Sequence, residues 1–275
     1  MLTRDYFTNI SINELKRKLD ELDQVDLKNS SFEDIFKKVI ETFSGITLCR
    51  IALSFGKVTG DPRFGLFRAR QVDGTFDLEN PVNYWAKPSE LQIEYGRCHS
   101  KGESRFYASN YILSTVLECR AKPGSEWVIA EFDSIDNSLF ESVFLGGVGT
   151  GFDRMMGHQG RLDSFFSNLS KSEKKKNNLL YQYISKRLGE KVNSSKKYKL
   201  TAAISKFFFR SPHNSANVEC IIYPSLMTKK NVLNFAIDSE SAREKLKVVR
   251  LYHVRVESIS SKESSNLHFI KCLDI

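Results

Sequence analysis

No run in the 275 residues approaches the roughly 18 apolar positions that a membrane-spanning helix needs. The opening stretch, MLTRDYFTNIS, lacks the apolar centre of a signal peptide. A cytoplasmic chain with no membrane span is therefore expected. Cysteine is sparse: Cys49, Cys98, Cys119, Cys220 and Cys272 are odd in number, scattered, and never in a C-x-x-C pair. Reduced thiols are expected, and disulfides or a zinc site are not. The histidines, His99, His158, His213, His253 and His268, form no H-E-x-x-H or other ligand spacing. Adjacent Cys98 and His99 are poor geometry for a shared ion, so no metal is expected. There is no internal repeat, and no low-complexity tract beyond the lysines.

What is present is apolar and aromatic. A hydrophobic fraction of 41% with 20 Phe and 10 Tyr supports a sizeable core and excludes disorder of the whole chain. The length suits one large domain, or a domain with an appendage. The formal net charge of +8 is concentrated: residues 171–199 hold ten Lys/Arg against Glu173 and Glu190, and the remainder is neutral. A single basic segment on a neutral body reads first as a solvated insert. Docking of an acidic partner comes second, and nucleic acid a distant third.

Residues 11–23 and 32–43 read as amphipathic helices. Ile12, Leu15 and Leu19 form the first stripe, and Ser30 or Ser31 caps the second helix. Together they make an N-terminal helical extension over 1–45, ahead of a main body over 46–275. Residues 46–55 suit a strand, with a helix possible, and Gly56 to Arg63 a loop. Phe64 to Val72 alternates, with Phe67 and Ala69 on one face and Arg68 and Arg70 on the other. Residues 126–132 read as a central strand because both faces are apolar. Residues 138–145 look helical. Gly146 to Gly151 lacks the Lys-Ser/Thr of a phosphate loop and has Phe152 where a dinucleotide fingerprint needs Gly or Ala, so it reads as a turn. Helices are expected over 177–190, 198–209 and 241–247. Strands are expected over 217–223, 232–237, 248–256 and 267–273.

The organising stretch is Tyr95 to Arg120. A Gly96-Arg97 pair leads through a turn at Lys101-Gly102-Glu103 to a strand ending Phe106-Tyr107-Ala108-Ser109. A helix capped by Asn110 or Ser109 follows, with Ile112, Val116 and Cys119 on one face. Glu118 borders that stripe. A carboxylate against apolar surface is costly unless something pairs with it or uses it.

Four pieces, FRAR at 67–70, GR…G…FYAS at 96–109, LE at 117–118 and YPS at 223–225, together resemble the RES domain over roughly residues 64–240. The family is named for its Arg, Glu and Ser. Its members are toxins of bacterial toxin–antitoxin pairs with an ADP-ribosyltransferase-like fold, and they degrade NAD. The resemblance implies an α+β fold: two packed mixed or antiparallel sheets with flanking helices, to which the N-terminal extension and the lysine-rich insert at 171–199 are added. It implies that Arg68, Arg97, Tyr107, Glu118 and Ser225 are the family's motif residues. Where the family continues Gly-Arg with an aromatic and Asn, Cys98 and His99 follow here, which makes His99 the substrate-binding candidate at that corner. NAD would be a substrate, with inorganic phosphate or water as acceptor and no cofactor. An Xre-type helix-turn-helix antitoxin is the implied partner, and a homo-oligomer is open.

The residue types suit that chemistry in their own right. Breaking the nicotinamide–ribose bond develops positive charge on the sugar, which a fixed carboxylate at Glu118 would oppose. Guanidinium forks at Arg68 and Arg97 suit a diphosphate. Tyr107 could stack on the flat nicotinamide, and Ser225 could hold a ribose hydroxyl or phosphate. Arg70, on the same strand face, reads as structural. ADP-ribosyl transfer to a macromolecule and a non-catalytic binding module remain the alternatives.

Overall fold

A computed structural model describes residues 7, 9–56, 65–74, 76–77, 80–146, 165–190, 192, 194–209, 218–225, 232–259 and 265–275. The glycine run beyond Gly146, most of the expected 56–63 loop, His158 and His213 lie outside the described residues.

Chain order is α1 (Ile12–Asp23), α2 (Phe32–Phe43), β1 (Arg50–Leu53), β2 (Leu66–Gln71), β3 (Arg105–Ser109), α3 (Ile112–Glu118), β4 (Glu126–Ser134), β5 (Phe140–Phe144), α4 (Lys171–Leu188), α5 (Lys199–Phe209), β6 (Cys220–Pro224), β7 (Leu233–Asp238), α6 (Ser239–Lys245), β8 (Leu246–Ile259) and β9 (Ser265–Asp274). The class is α+β. Among the described residues no helix is long and apolar enough to cross a membrane.

The nine strands form one hydrogen-bonded sheet, ordered β1-β5-β6-β7-β3-β2-β4-β8-β9, instead of the two separate sheets expected. β5 and β6 run parallel, and the other pairs are antiparallel. The joint at β2 and β3 is thin. A single residue pair, Phe67 with Ser109, connects them, whereas β2 pairs with β4 along all six of its residues. The sheet is thus two halves held by one rung.

β4 has the two apolar faces its sequence promised. Val128, Ala130 and Phe132 belong to the main core, and Trp127 and Ile129 to a second cluster with Leu113, Val116 and Leu117 of α3. Residues 138–145 contain a strand, β5, and not a helix. Its short aromatic and β-branched run is buried at Phe140, Val143 and Phe144, and it pairs on both sides, with β1 and with β6.

Ser31 caps α2 as expected, accepting from the Asp34 amide, and Ser11 caps α1, accepting from the Glu14 amide. Both helices pack onto the body. Leu15, Leu19 and Leu22 of α1 and Ile35, Val39 and Phe43 of α2 join the main core, each such burial stabilising by roughly 1.5–3 kcal/mol.

The lysine-rich segment is not a solvated insert. It begins with α4, closed by a reciprocal capping box between Ser170 and Glu173. Leu180, Tyr181, Ile184 and Leu188 of α4 are core residues. Lys176 itself is 2% exposed and donates to the Phe7 carbonyl at 2.9 Å. The helix also fixes the approach to β1: Asn177 accepts from the Thr47 amide and the Tyr181 hydroxyl accepts from the Cys49 amide.

Candidate active site

Where β2 and β3 diverge, a cavity of ≈360 Å3 opens, within the size range of small-molecule sites, about 300–1,000 Å3. Its lining includes Phe67 and Ala69 from one face of β2 and Arg68 and Arg70 from the other. A closed ladder would keep those faces apart, so the single-rung joint is what admits the recess. Arg97, Tyr107, Glu118 and Asn234 also line it, beside Ser109 and Thr115, with Tyr198 and Tyr223 as further aromatics.

Arg68 bridges the gap. It donates to the Tyr107 carbonyl of β3 at 2.8 Å and to the Trp85 carbonyl at 3.3 Å, and its guanidinium lies 5.1 Å from the Phe106 ring centre. Its Nε is buried without an acceptor. Burial, and then the charge of Arg70, lower its pKa to about 10, which still leaves it protonated at neutral pH.

The Gly96-Arg97 turn is closed by a bond from the Gly96 amide to the His99 carbonyl at 3.0 Å. A Cβ at Gly96 would sit 2.0 Å from the His99 ring, so only glycine fits. Tyr107 locks the turn from β3. Its hydroxyl accepts from the Cys98 amide at 2.8 Å and lies 2.8 Å from His99 Nδ1. In a neutral imidazole with Nδ1 unprotonated, that nitrogen accepts the hydroxyl proton while the hydroxyl oxygen accepts from the amide. Burial, reinforced by Arg105, lowers the His99 pKa to about 4 and keeps the ring neutral. Arg97 then reaches the end of α4, donating to the Leu188 and Glu190 carbonyls. A cation satisfying the last carbonyls of a helix also meets the negative end of its dipole.

Glu118 is the last residue of α3. Its Oε1 accepts from the Ser225 hydroxyl at 2.7 Å and from Asn234 Nδ2 at 2.8 Å. Its Oε2 has no partner among the described residues. One oxygen therefore anchors the carboxylate and the other remains for a ligand. Glu118 is the one carboxylate in the described lining, against three arginines, so the recess favours an anion.

The expected residues Arg68, Arg97, Tyr107 and Glu118 meet at this cavity. Ser225 and His99 do not line it. Ser225 stands behind Glu118 and orients it, with Ser114 Oγ at 3.2 Å, and His99 stands behind Tyr107. Tyr107 lines the cavity, while its hydroxyl is spent on the turn. Ser109 and Asn110 do not cap α3. The Ser109 hydroxyl donates to the Leu233 carbonyl, and Asn110 accepts from the Leu233 amide, so both tie β3 to β7. Asn234 has only a faint signal in the sequence, a lone amide inside the apolar run Leu233–Ile237. Arg70, expected to be structural, lines the cavity.

Comparison with protein-family models, curated proteins and solved structures gave no match.

Proposed function

We propose that this protein is a RES-type enzyme that cleaves the nicotinamide–ribose bond of NAD, with phosphate or water as acceptor. The observation that carries this reading is the gathering of Glu118, Arg68 and Arg97, distant in sequence, at one recess. In the reaction the ribose C1′–N1 bond breaks, its electron pair stays on the ring nitrogen, and neutral nicotinamide leaves. Positive charge grows on the ribose, and Oε2 of Glu118, which makes no hydrogen bond among the described residues, would oppose it or accept from a ribose hydroxyl. An acceptor oxygen then bonds to C1′. A phosphate dianion brings its own lone pair, whereas water gives its proton to solvent. The arginines hold the diphosphate, and the ring of Tyr107 offers a flat surface to nicotinamide.

On the same resemblance, the protein acts as a growth-arresting toxin in the cytoplasm, restrained by an Xre-type helix-turn-helix antitoxin. The test is product analysis after incubation with NAD, with and without inorganic phosphate. Release of nicotinamide supports the proposal, and an ADP-ribose 1-phosphate product would identify phosphate as acceptor. Intact NAD with folded protein refutes it. Label from NAD appearing on a macromolecule would reassign the activity to ADP-ribosyl transfer.

A further inference from the structure

We propose that Arg68 and Arg70 together form a seat for a phosphoryl group, separate from the end of the cavity held by Arg97. The seat belongs to the recess read above as an NAD site, and only the source of its phosphoryl group rests on that reading.

Arg68 and Arg70 are two residues apart on β2, so their side chains leave the strand on the same face, and both line the cavity. Neither has a carboxylate partner among the described residues, and Arg70 makes no hydrogen bond there at all. Glu118 does not neutralise them, because its bonds go to Ser225 and Asn234. Two guanidinium groups side by side in a recess repel one another at a cost that an anion between them would remove. The repulsion is felt: the charge of Arg70 lowers the proton affinity of Arg68, after burial, yet Arg68 remains charged at neutral pH.

The pair is also preorganised on one side. Two backbone carbonyls and the Phe106 ring hold the Arg68 guanidinium, while Arg70 is left to close on a ligand. Arg97 is anchored at a different point of the recess, with Nη1 on the end of α4 and its guanidinium against the Tyr198 ring. The free fork of Arg70, with the N–H groups of Arg68 that its two carbonyl bonds leave over, suits a tetrahedral oxyanion of charge near −2, which offers several oxygens and matches both cations. A carboxylate would leave one charge unmatched. The phosphoryl group can come from the dinucleotide's own diphosphate or from free phosphate.

The test is binding of inorganic phosphate and of pyrophosphate to the full-length protein by titration calorimetry, for the wild type, Arg70→Gln, Arg70→Lys and a control at the exposed Lys175 (Lys175→Gln). Losing one charged fork should weaken affinity for at least one probe about ten- to a hundredfold in Arg70→Gln. Arg70→Lys keeps charge without the fork and should fall in between. The control should bind as the wild type does. Near-UV circular dichroism confirms folding, and Arg70→Lys carries the test if Arg70→Gln does not fold.

No saturable binding by the wild type, or equal affinity in the wild type and Arg70→Gln, overturns the proposal. Where NAD is turned over, a selective rise in the KM for phosphate identifies free phosphate as the occupant. A selective rise in the KM for NAD identifies the dinucleotide's diphosphate. Arg70-dependent phosphate binding without NAD turnover would refute the NAD reading and leave the seat standing.

Discussion

The Ser225 hydroxyl donates to Glu118 Oε1 at 2.7 Å, joining the end of β6 to the end of α3 across 107 positions of sequence. Asn234 Nδ2 meets the same oxygen at 2.8 Å. The carboxylate is thereby held by one edge, and the serine acts through it.

Removing either donor should loosen the carboxylate without removing it. Ser225→Ala and Asn234→Ala are each expected to lower NAD-cleaving kcat about ten- to a hundredfold, the scale of one charge-assisted hydrogen bond. Because both act on one oxygen, the double variant should lose less than the product of the two single losses. Glu118→Gln, which keeps a carbonyl oxygen for both donors, should fold normally and lose on the order of a hundred- to a thousandfold in kcat. Steady-state kinetics with thermal melts check all four variants. A Glu118→Gln variant with wild-type turnover would end the catalytic assignment.

Tyr107→Phe removes the hydroxyl that meets the Cys98 amide and His99 Nδ1. Two polar groups inside the fold would lose their partner, at a cost of about 1–3 kcal/mol in urea-unfolding free energy. The ring remains, so any stacking on nicotinamide persists, and the KM for NAD should change less than the stability does. Unchanged stability would show that the hydroxyl does not hold the turn.

His99 gives a pH signature. Its pKa is about 4 in the folded protein against an unperturbed value of 6.5. The folded state therefore binds fewer protons than the unfolded chain between those values, and stability rises with pH across that window. Lowering the pH from 6.5 to 4 should cost the wild type up to about 3 kcal/mol more than His99→Gln, whose side chain cannot take up the proton. Denaturant unfolding at pH 7 and pH 4.5 measures the difference. Parallel losses in the two proteins would count against a buried neutral imidazole.

The periodic elements were legible in the sequence because spacing alone determines which face of them is buried. Leu15, Leu19 and Leu22, or Val128, Ala130 and Phe132, announce their layers without help from distant residues. Residues 138–145 mix the apolar Leu139, Phe140, Val143, Phe144 and Leu145 with Ser138, Glu141 and Ser142, a short pattern that suits either helix or strand, and the two flanking strands decide between them. The lysine-rich segment misled for a different reason: its charge total hid the stripe Leu180, Tyr181, Ile184 and Leu188 in α4. At the site, the resemblance to the RES domain singled out Arg68, Arg97, Tyr107 and Glu118, which meet at the recess, and also Ser225, which stands behind it. Whether Ser225 touches a ligand or only Glu118 depends on where β6 ends relative to α3, a long-range relation that local pattern does not carry. Asn234 and Arg70 had the weakest local signal, and only the separation of β2 from β3 gives them a role.

The grip of Arg97 on the end of α4 ties one wall of the recess, and with it the proposed activity, to the integrity of a helix terminus. Helix termini are the first parts to fray on mild warming or in dilute denaturant. Once the last turn at Leu188 loosens, the arginine loses its anchor while the sheet is still intact. Function should therefore fade ahead of the cooperative melt, so that inactivation reports the condition of one helical turn and not the survival of the whole molecule.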